Sequence, residues 1–283
     1  MPTSFGARLS ENFAKYGQLC VGIDPHAGLL EEWGLSDDVA GLETFALSVL
    51  NAAAGRVGII KPQVSFFERH GSKGFAVLEK LAEASAQTDL LVIMDAKRGD
   101  IGSTMDGYFD AWLGQSAPFI CDALTVSPYL GFDSLKPTMS SAVERGKGLF
   151  VLAATSNPEA KKLQQAQVGG QTIAASIYEE LGRVNQVTAE GGSNLGSLGA
   201  VIGATLNFGS VGLHSFTAQA SLTPILAPGF GAQGAELSDA AAIFGAAKSQ
   251  VIASVSRSVL SAGAAGLAAS IEAAKAELAA GLA

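Results

Sequence analysis

Asp95, Lys97 and Asp100 stand between an apolar run, residues 90–94, and the segment Ile101-Gly-Ser-Thr104. A short run of branched apolar side chains predicts a strand buried on both faces. Residues two apart in a strand share a side, so Asp95 and Lys97 face the same way. Gly99 permits a sharp turn, and Asp100 sits where it could cap a helix starting near Ile101. One reading is an ion pair that closes a strand end, but buried pairs often add no net stability over apolar residues. Chemistry is the better reading. Two anions beside Lys97 would hold it protonated and in one position, a fixed general acid next to negative potential.

The rest of the chain has to bring that group to a site. The pattern predicts strands at 18–23, 57–60, 119–126, 148–153, 200–203, 223–227 and 251–255 around the one at 90–94. Helices are expected at 1–17, 38–55, 71–87, 101–114, 133–145 and 172–188, a weak one at 208–220, and others at 238–247 and in the Ala-rich 258–283. The Gly/Ser-rich stretch 191–199 reads as a loop or turn with no evident role. Roughly eight strand-then-helix units predict a (β/α)8 barrel, with a doubly wound open sheet second. The barrel is preferred because polar residues follow almost every strand, and only a closed ring gathers those ends at one mouth. No linker or shift in composition divides 1–283, so a single domain is expected.

The groups at the strand ends suggest what the mouth could hold. Asp24 precedes Pro25, as a turn residue or as a strong acceptor for sugar hydroxyls. Lys61 follows Ile59-Ile60 and points to the mouth unless it snorkels to the surface. Ser127, before Pro128, offers a hydroxyl. Glu68, Arg69 and His70 read as a solvated face. The loop Pro228-Gly-Phe-Gly-Ala-Gln233-Gly and the pair Ser256-Arg257 follow the last two strands, where such barrels commonly bind phosphate. Glycines expose backbone N–H groups there, Gln233 adds an amide and Arg257 a bidentate fork.

Composition narrows the classes. The chain has 283 residues, 48% hydrophobic and only 16% charged, enough apolar material for a large core. Its 34 glycines and many alanines explain much of the positive hydropathy, and no uninterrupted apolar run reaches the roughly 20 residues of a membrane span. Residues 1–15 are polar and lack the apolar core of a secretion signal. A net charge of −8 weighs against general nucleic-acid binding, though not against a local phosphate pocket. Cys20 and Cys121, both in apolar surroundings, are expected as reduced buried thiols in a cytoplasm. His26, His70 and His214 are scattered, no cluster has metal-ligand spacing, and there is no Walker motif or convincing G-x-G-x-x-G after a strand. No metal or nucleotide cofactor is implied.

At this point the residues resemble the orotidine 5′-monophosphate decarboxylase family. The resemblance rests on Asp95-x-Lys97-x-x-Asp100-Ile101-x-x-Thr104. Gly22-Ile-Asp24-Pro25, Lys61-Pro62, Ser127-Pro128, Pro228-Gly-x-Gly-Ala-Gln233-Gly and Ser256-Arg257 support it, in the family's order over nearly the whole chain. Lys61-Pro-Gln-Val-x-Phe-Phe-Glu68 and Thr155-Ser-Asn-Pro158 are similar to its longer bacterial branch. Ser256 departs from the Gly of shorter relatives, and Ala154 stands where that branch is expected to carry a basic residue.

The resemblance implies a cytoplasmic barrel homodimer of pyrimidine biosynthesis. It would convert orotidine 5′-monophosphate to uridine 5′-monophosphate and CO2 without a cofactor. Lys97 would give a proton to C6 as the carboxylate leaves, with Asp95 beside that carboxylate. Lys61 would link the acidic pair and, with Asp24, contact ribose hydroxyls. Asp100, Ile101 and Thr104 would enter the partner's site, and Ser127 would read the pyrimidine. Gln233 and Arg257 would hold the phosphate, with Pro228 and Ser256 also at the substrate. The chemistry suits these groups, because losing CO2 from an sp² carbon without an electron sink calls for fixed positive charge. The alternatives are a Schiff-base aldolase using Lys97, a metal-dependent sugar-phosphate enzyme, and a barrel that binds a phosphate ligand without catalysis.

Overall fold

The computed structural model describes residues 2–189, 194–213 and 222–283. Eight parallel strands form a closed barrel. They are Leu19–Ile23 (β1), Ile59–Pro62 (β2), Leu91–Arg98 (β3), Ala123–Val126 (β4), Gly148–Ala154 (β5), Leu198–Ile202 (β6), Ile225–Pro228 (β7) and Val251–Val255 (β8). Closure is visible at β1, where Cys20 pairs with Ile59 on one side and Ser254 on the other. The predicted barrel is therefore the observed fold, and an open sheet is ruled out.

Strand parity explains why the polar residues gather at one end. Ile59, Ile93, Ala123 and Ile252 belong to the apolar core inside the ring. Two residues further along each strand come Lys61, Asp95, Thr125 and Ser254, all buried. Alternation thus stacks a polar layer on an apolar one, toward the C-terminal ends of the strands. The opposite end is plugged by the helix Phe5–Tyr16. Its Phe5 meets Phe150 edge-on, with ring centroids 5.9 Å apart, and Leu9 joins the same interior core.

The outer helices bury one apolar face each. In Val39–Ala53, Leu42, Phe45, Ala46, Val49 and Leu50 turn inward, and Asp38 caps the start by accepting the Gly41 N–H at 2.9 Å. The closing helix Gly263–Leu282 buries Leu267, Ile271 and Leu278. Among the described residues no helix is long and apolar enough to cross a membrane. Cys20 and Cys121 are both free and buried, and burial pushes the Cys20 thiol up to about 12.

Four expectations are corrected. The strand expected at 119–126 begins only at Ala123, because Phe119 stacks on Trp112 at 4.4 Å. Leu198 and Gly199, expected in a loop, belong to β6. Asn185 fixes that strand's entry, donating to the Leu198 carbonyl at 2.7 Å and accepting its N–H at 3.1 Å. The segment around 195–199 thereby gains a role; 191–193 lie outside the described residues. The region 238–247 is a broken run, with a helix only at Ala240–Phe244 before Gly245 takes φ 52°. Of the weak helix at 208–220, the described part is a single 3-10 turn, Phe208–Val211; residues 214–220, His214 among them, lie outside the described residues.

Candidate active site

Asp95 is the centre of the polar layer. Its Oδ1 accepts from Lys97 Nζ at 2.6 Å and from the Thr125 hydroxyl at 2.9 Å, and its Oδ2 accepts from Lys61 Nζ at 3.0 Å. Within one chain the motif is therefore not an ammonium between two carboxylates but a carboxylate between two ammoniums. Asp100 lies past the turn, where its Oδ1 accepts the Ile101 N–H at 2.8 Å; it does not cap the helix Gly102–Trp112. Among the described residues it forms no ion pair.

The two lysines differ in surroundings. The Lys61 side chain is 8% exposed and the Lys97 side chain 43%. Burial pulls the Lys61 ammonium down, but Asp95 and Asp24 outweigh it and hold Lys61 above its usual range. Burial likewise raises Asp95, and the Lys61 and Lys97 charges overcome it, keeping the carboxyl well below the usual carboxylate range. Asp95 and Lys61 are thus a locked ion pair at neutral pH, while Lys97 reaches from it into open space.

That space is a cavity of about 330 Å³ over the barrel. Asp24, Lys61, Asp95 and Lys97 lie on its wall, and so do Pro228, Gln233, Ser256 and Arg257. The loop between Pro228 and Gly234 turns through Gly229 at φ 113° and Gly231 at φ 71°, which side chains other than glycine rarely adopt. The N–H groups of Gly231 and Gly234 are used inside the loop, bonding to Ala235 O at 2.8 Å and Gly231 O at 2.9 Å. Arg257 is exposed and makes no ion pair among the described residues. One end of the cavity thus carries the Asp95 cluster, and its wall also carries an uncommitted guanidinium.

Comparison with known proteins puts a family to this arrangement. Residues 17–271 match the family described as "Orotidine 5'-phosphate decarboxylase / HUMPS family". The chain belongs to that family. A Streptomyces coelicolor protein named orotidine 5′-phosphate decarboxylase is 52% identical over 257 residues, covering 90% of this chain and 89% of the relative. A Nocardioides protein of the same name is 52% identical over 260 residues, with 90% and 91% covered. A solved structure from Streptomyces avermitilis carrying that enzyme name is 48% identical, with a TM-score of 0.91 over 99% of this chain and 96% of that one.

Not every residue suggested by the decarboxylase resemblance reaches the cavity. Asp100, Ile101, Thr104 and Ser127 do not line it. Ile101 is 59% exposed, and Thr104 is exposed on the first turn after Gly102. Ser127 borders a separate apolar cavity of about 480 Å³ with Tyr129 and Ile177. Thr155, just past β5, is on the main cavity wall, its hydroxyl donating to Asn157 at 2.7 Å and accepting from Gln164 at 2.9 Å. Glu68 and Arg69 are exposed as expected, paired with Arg98 and Asp37, whereas the His70 side chain is only 14% exposed.

Several wall residues were missed from sequence. Gln63, Phe66 and Ser254 continue the inward parity of β2 and β8 or the turn beyond, a signal available once Lys61 and Ser256 are chosen. His26 is another. Its Nδ1 accepts the Leu29 N–H at 3.2 Å, which places the ring proton on Nε2. Among the described residues that Nε2 and Asp24 Oδ1 are buried without a hydrogen-bond partner, a donor and an acceptor both on residues of the cavity wall.

The locked pair gives a stability prediction. Asp95→Ala strands Lys61 as a buried charge, and breaking a buried pair from one side costs about 3–5 kcal/mol. Urea unfolding at pH 7 should show that loss; a change below about 1 kcal/mol would mean the pair is solvated or dispensable. In the wild type, Asp95's contribution is complete above the ordinary carboxylate range and disappears as pH falls through its depressed value.

Proposed function

We propose that the chain converts orotidine 5′-monophosphate to uridine 5′-monophosphate and CO2, with Lys97 as the acid. The observation that carries this reading is the Asp95 cluster, in which one lysine is buried and the other opens onto the cavity. The C6–carboxylate bond breaks with its electron pair left on C6. The Lys97 ammonium, held by Asp95 at 2.6 Å, stabilises that pair and then gives C6 a proton. Solvent restores the ammonium after product leaves. Lys61 keeps Asp95 ionised and in place, so the cluster is organised before substrate arrives. Asp24 Oδ1 and His26 Nε2, both without hydrogen-bond partners among the described residues, suit sugar hydroxyls.

The phosphate end follows from Arg257, Gln233 and the loop from Pro228. Binding energy spent there, away from the reacting carbon, favours closing the cavity over the pyrimidine. Arg257→Ala should raise KM for the nucleotide about 10- to 100-fold, the worth of a charge-assisted hydrogen bond. The same change should matter little for orotidine lacking phosphate. Equal losses on both substrates in steady-state assays would make Arg257 a structural residue.

The working form is a cytoplasmic homodimer in this reading. Among the described residues Asp100 has no charged partner, and Ile101 and Thr104 are exposed beside it. Those three residues would complete the neighbouring cavity. The reaction itself is tested by following the ultraviolet absorbance of orotidine 5′-monophosphate with purified protein and chelator present. Conversion supports the reading. Unchanged absorbance refutes it, and conversion that only added metal restores would favour a metal-dependent enzyme.

A further inference from the structure

We propose that Thr125 is a positioning residue that holds Lys97 in the backbone conformation from which its ammonium reaches the cavity. This rests on the decarboxylase reading above. Three observations meet at Thr125. First, Lys97 has φ 50° and is the only non-glycine residue with positive φ among the described residues. Side chains rarely adopt that region, and where they do the surroundings must enforce it.

Second, the β3–β4 register slips at this point. Met94 pairs with Leu124 and Arg98 with Val126, so Asp95, Ala96 and Lys97 stand opposite Thr125 alone. Regular ladder bonds cannot serve three residues against one. Third, the Thr125 side chain takes over. Its Oγ1 accepts the Lys97 backbone N–H at 3.0 Å and donates to Asp95 Oδ1 at 2.9 Å. Thr125 is 1% exposed, so water does not compete for either bond. One hydroxyl therefore ties the backbone of the acid to the carboxylate that grips its ammonium.

The bulge has a consequence for the chemistry. A flat strand would keep Asp95 and Lys97 parallel, both projecting straight into the barrel. The left-handed turn at Lys97 swings its chain so that Nζ doubles back to Asp95 Oδ1 at 2.6 Å while the side chain stays 43% exposed. Valine at position 125 keeps the shape of threonine but takes away the acceptor of the part-buried Lys97 N–H. The strained turn then relaxes toward ordinary strand geometry and carries the ammonium away from the reacting carbon. A misplacement of about 1 Å is enough to cost about 100-fold in rate.

The test compares Thr125→Val and Thr125→Ser with the wild type, measuring kcat, KM and uridine 5′-monophosphate affinity on the same preparations. The valine variant should lose about 10- to 100-fold in kcat, with KM and product affinity within about threefold. The serine variant, which keeps the hydroxyl, should stay within about threefold of wild-type kcat. Valine retaining more than about half the wild-type kcat would overturn the proposal. So would equal losses in kcat, KM and product affinity that serine does not repair, the mark of a merely structural residue. If the valine variant aggregates, Thr125→Ala replaces it under the same criteria. Wild-type protein without decarboxylase activity would refute the reaction and not the clamp, so the two failures are distinct.

Discussion

Lys97→Ala leaves a folded protein whose turnover falls by about 10²- to 10⁴-fold or more. A positioned general acid alone is worth that range, and in the proposed reaction the lysine would also supply positive charge beside the developing carbanion. The fold should survive because the Lys97 side chain is 43% exposed. Asp95 keeps its bonds to Lys61 at 3.0 Å and to Thr125 at 2.9 Å in the variant. Lys61 cannot take over as donor: it is buried and held charged by Asp95 and Asp24. Steady-state assays and product binding on one preparation check this. Activity above about a tenth of wild type, with product binding intact, would remove Lys97 from the proton-donor role.

Why some of this was readable in the sequence and some was not follows from the periodicity of strands. Asp24, Lys61 and Asp95 each come two residues after an inward position, at Gly22, Ile59 and Ile93, so simple alternation aims them into the barrel. Arg257 and the glycine loop were readable by their place after the last strands. Alternation fails where the register slips. The extra residues opposite Thr125 have no signature in the apolar run, and Thr125 itself reads as an ordinary β-branched strand residue. His26 was missed because its role depends on a six-residue helix, Ala27–Glu32, turning the ring's Nδ1 toward Leu29. The sign of the charge cluster was misread for a spatial reason. Asp100 is near Lys97 in sequence, but Lys61, 34 residues from Asp95, is the group that reaches the carboxylate.

Where Asp100 does act is decided by mixing two inactive proteins. If the chain works as the proposed dimer, Asp100→Ala and Lys97→Ala proteins should each be nearly inactive, yet equal amounts mixed with subunit exchange should recover about a quarter of wild-type activity. Asp100 follows the end of β3 and precedes the helix Gly102–Trp112. Its side chain bonds only to the Ile101 N–H among the described residues, and Ile101 is 59% exposed. An apolar side chain left in water next to a carboxylate without a cationic partner suits a segment completed by a second chain. In a mixed dimer one cavity collects both defects. The other keeps its own Lys97 and receives the intact Asp100 of its neighbour. Random pairing makes about half the dimers mixed, each with one complete site of two, which gives the quarter when sites act independently. Exchange has to be shown separately, with differently tagged chains that co-purify. If tagged chains exchange and the mixture stays inactive, Asp100 serves the cavity of its own chain, and the shared-site dimer is wrong.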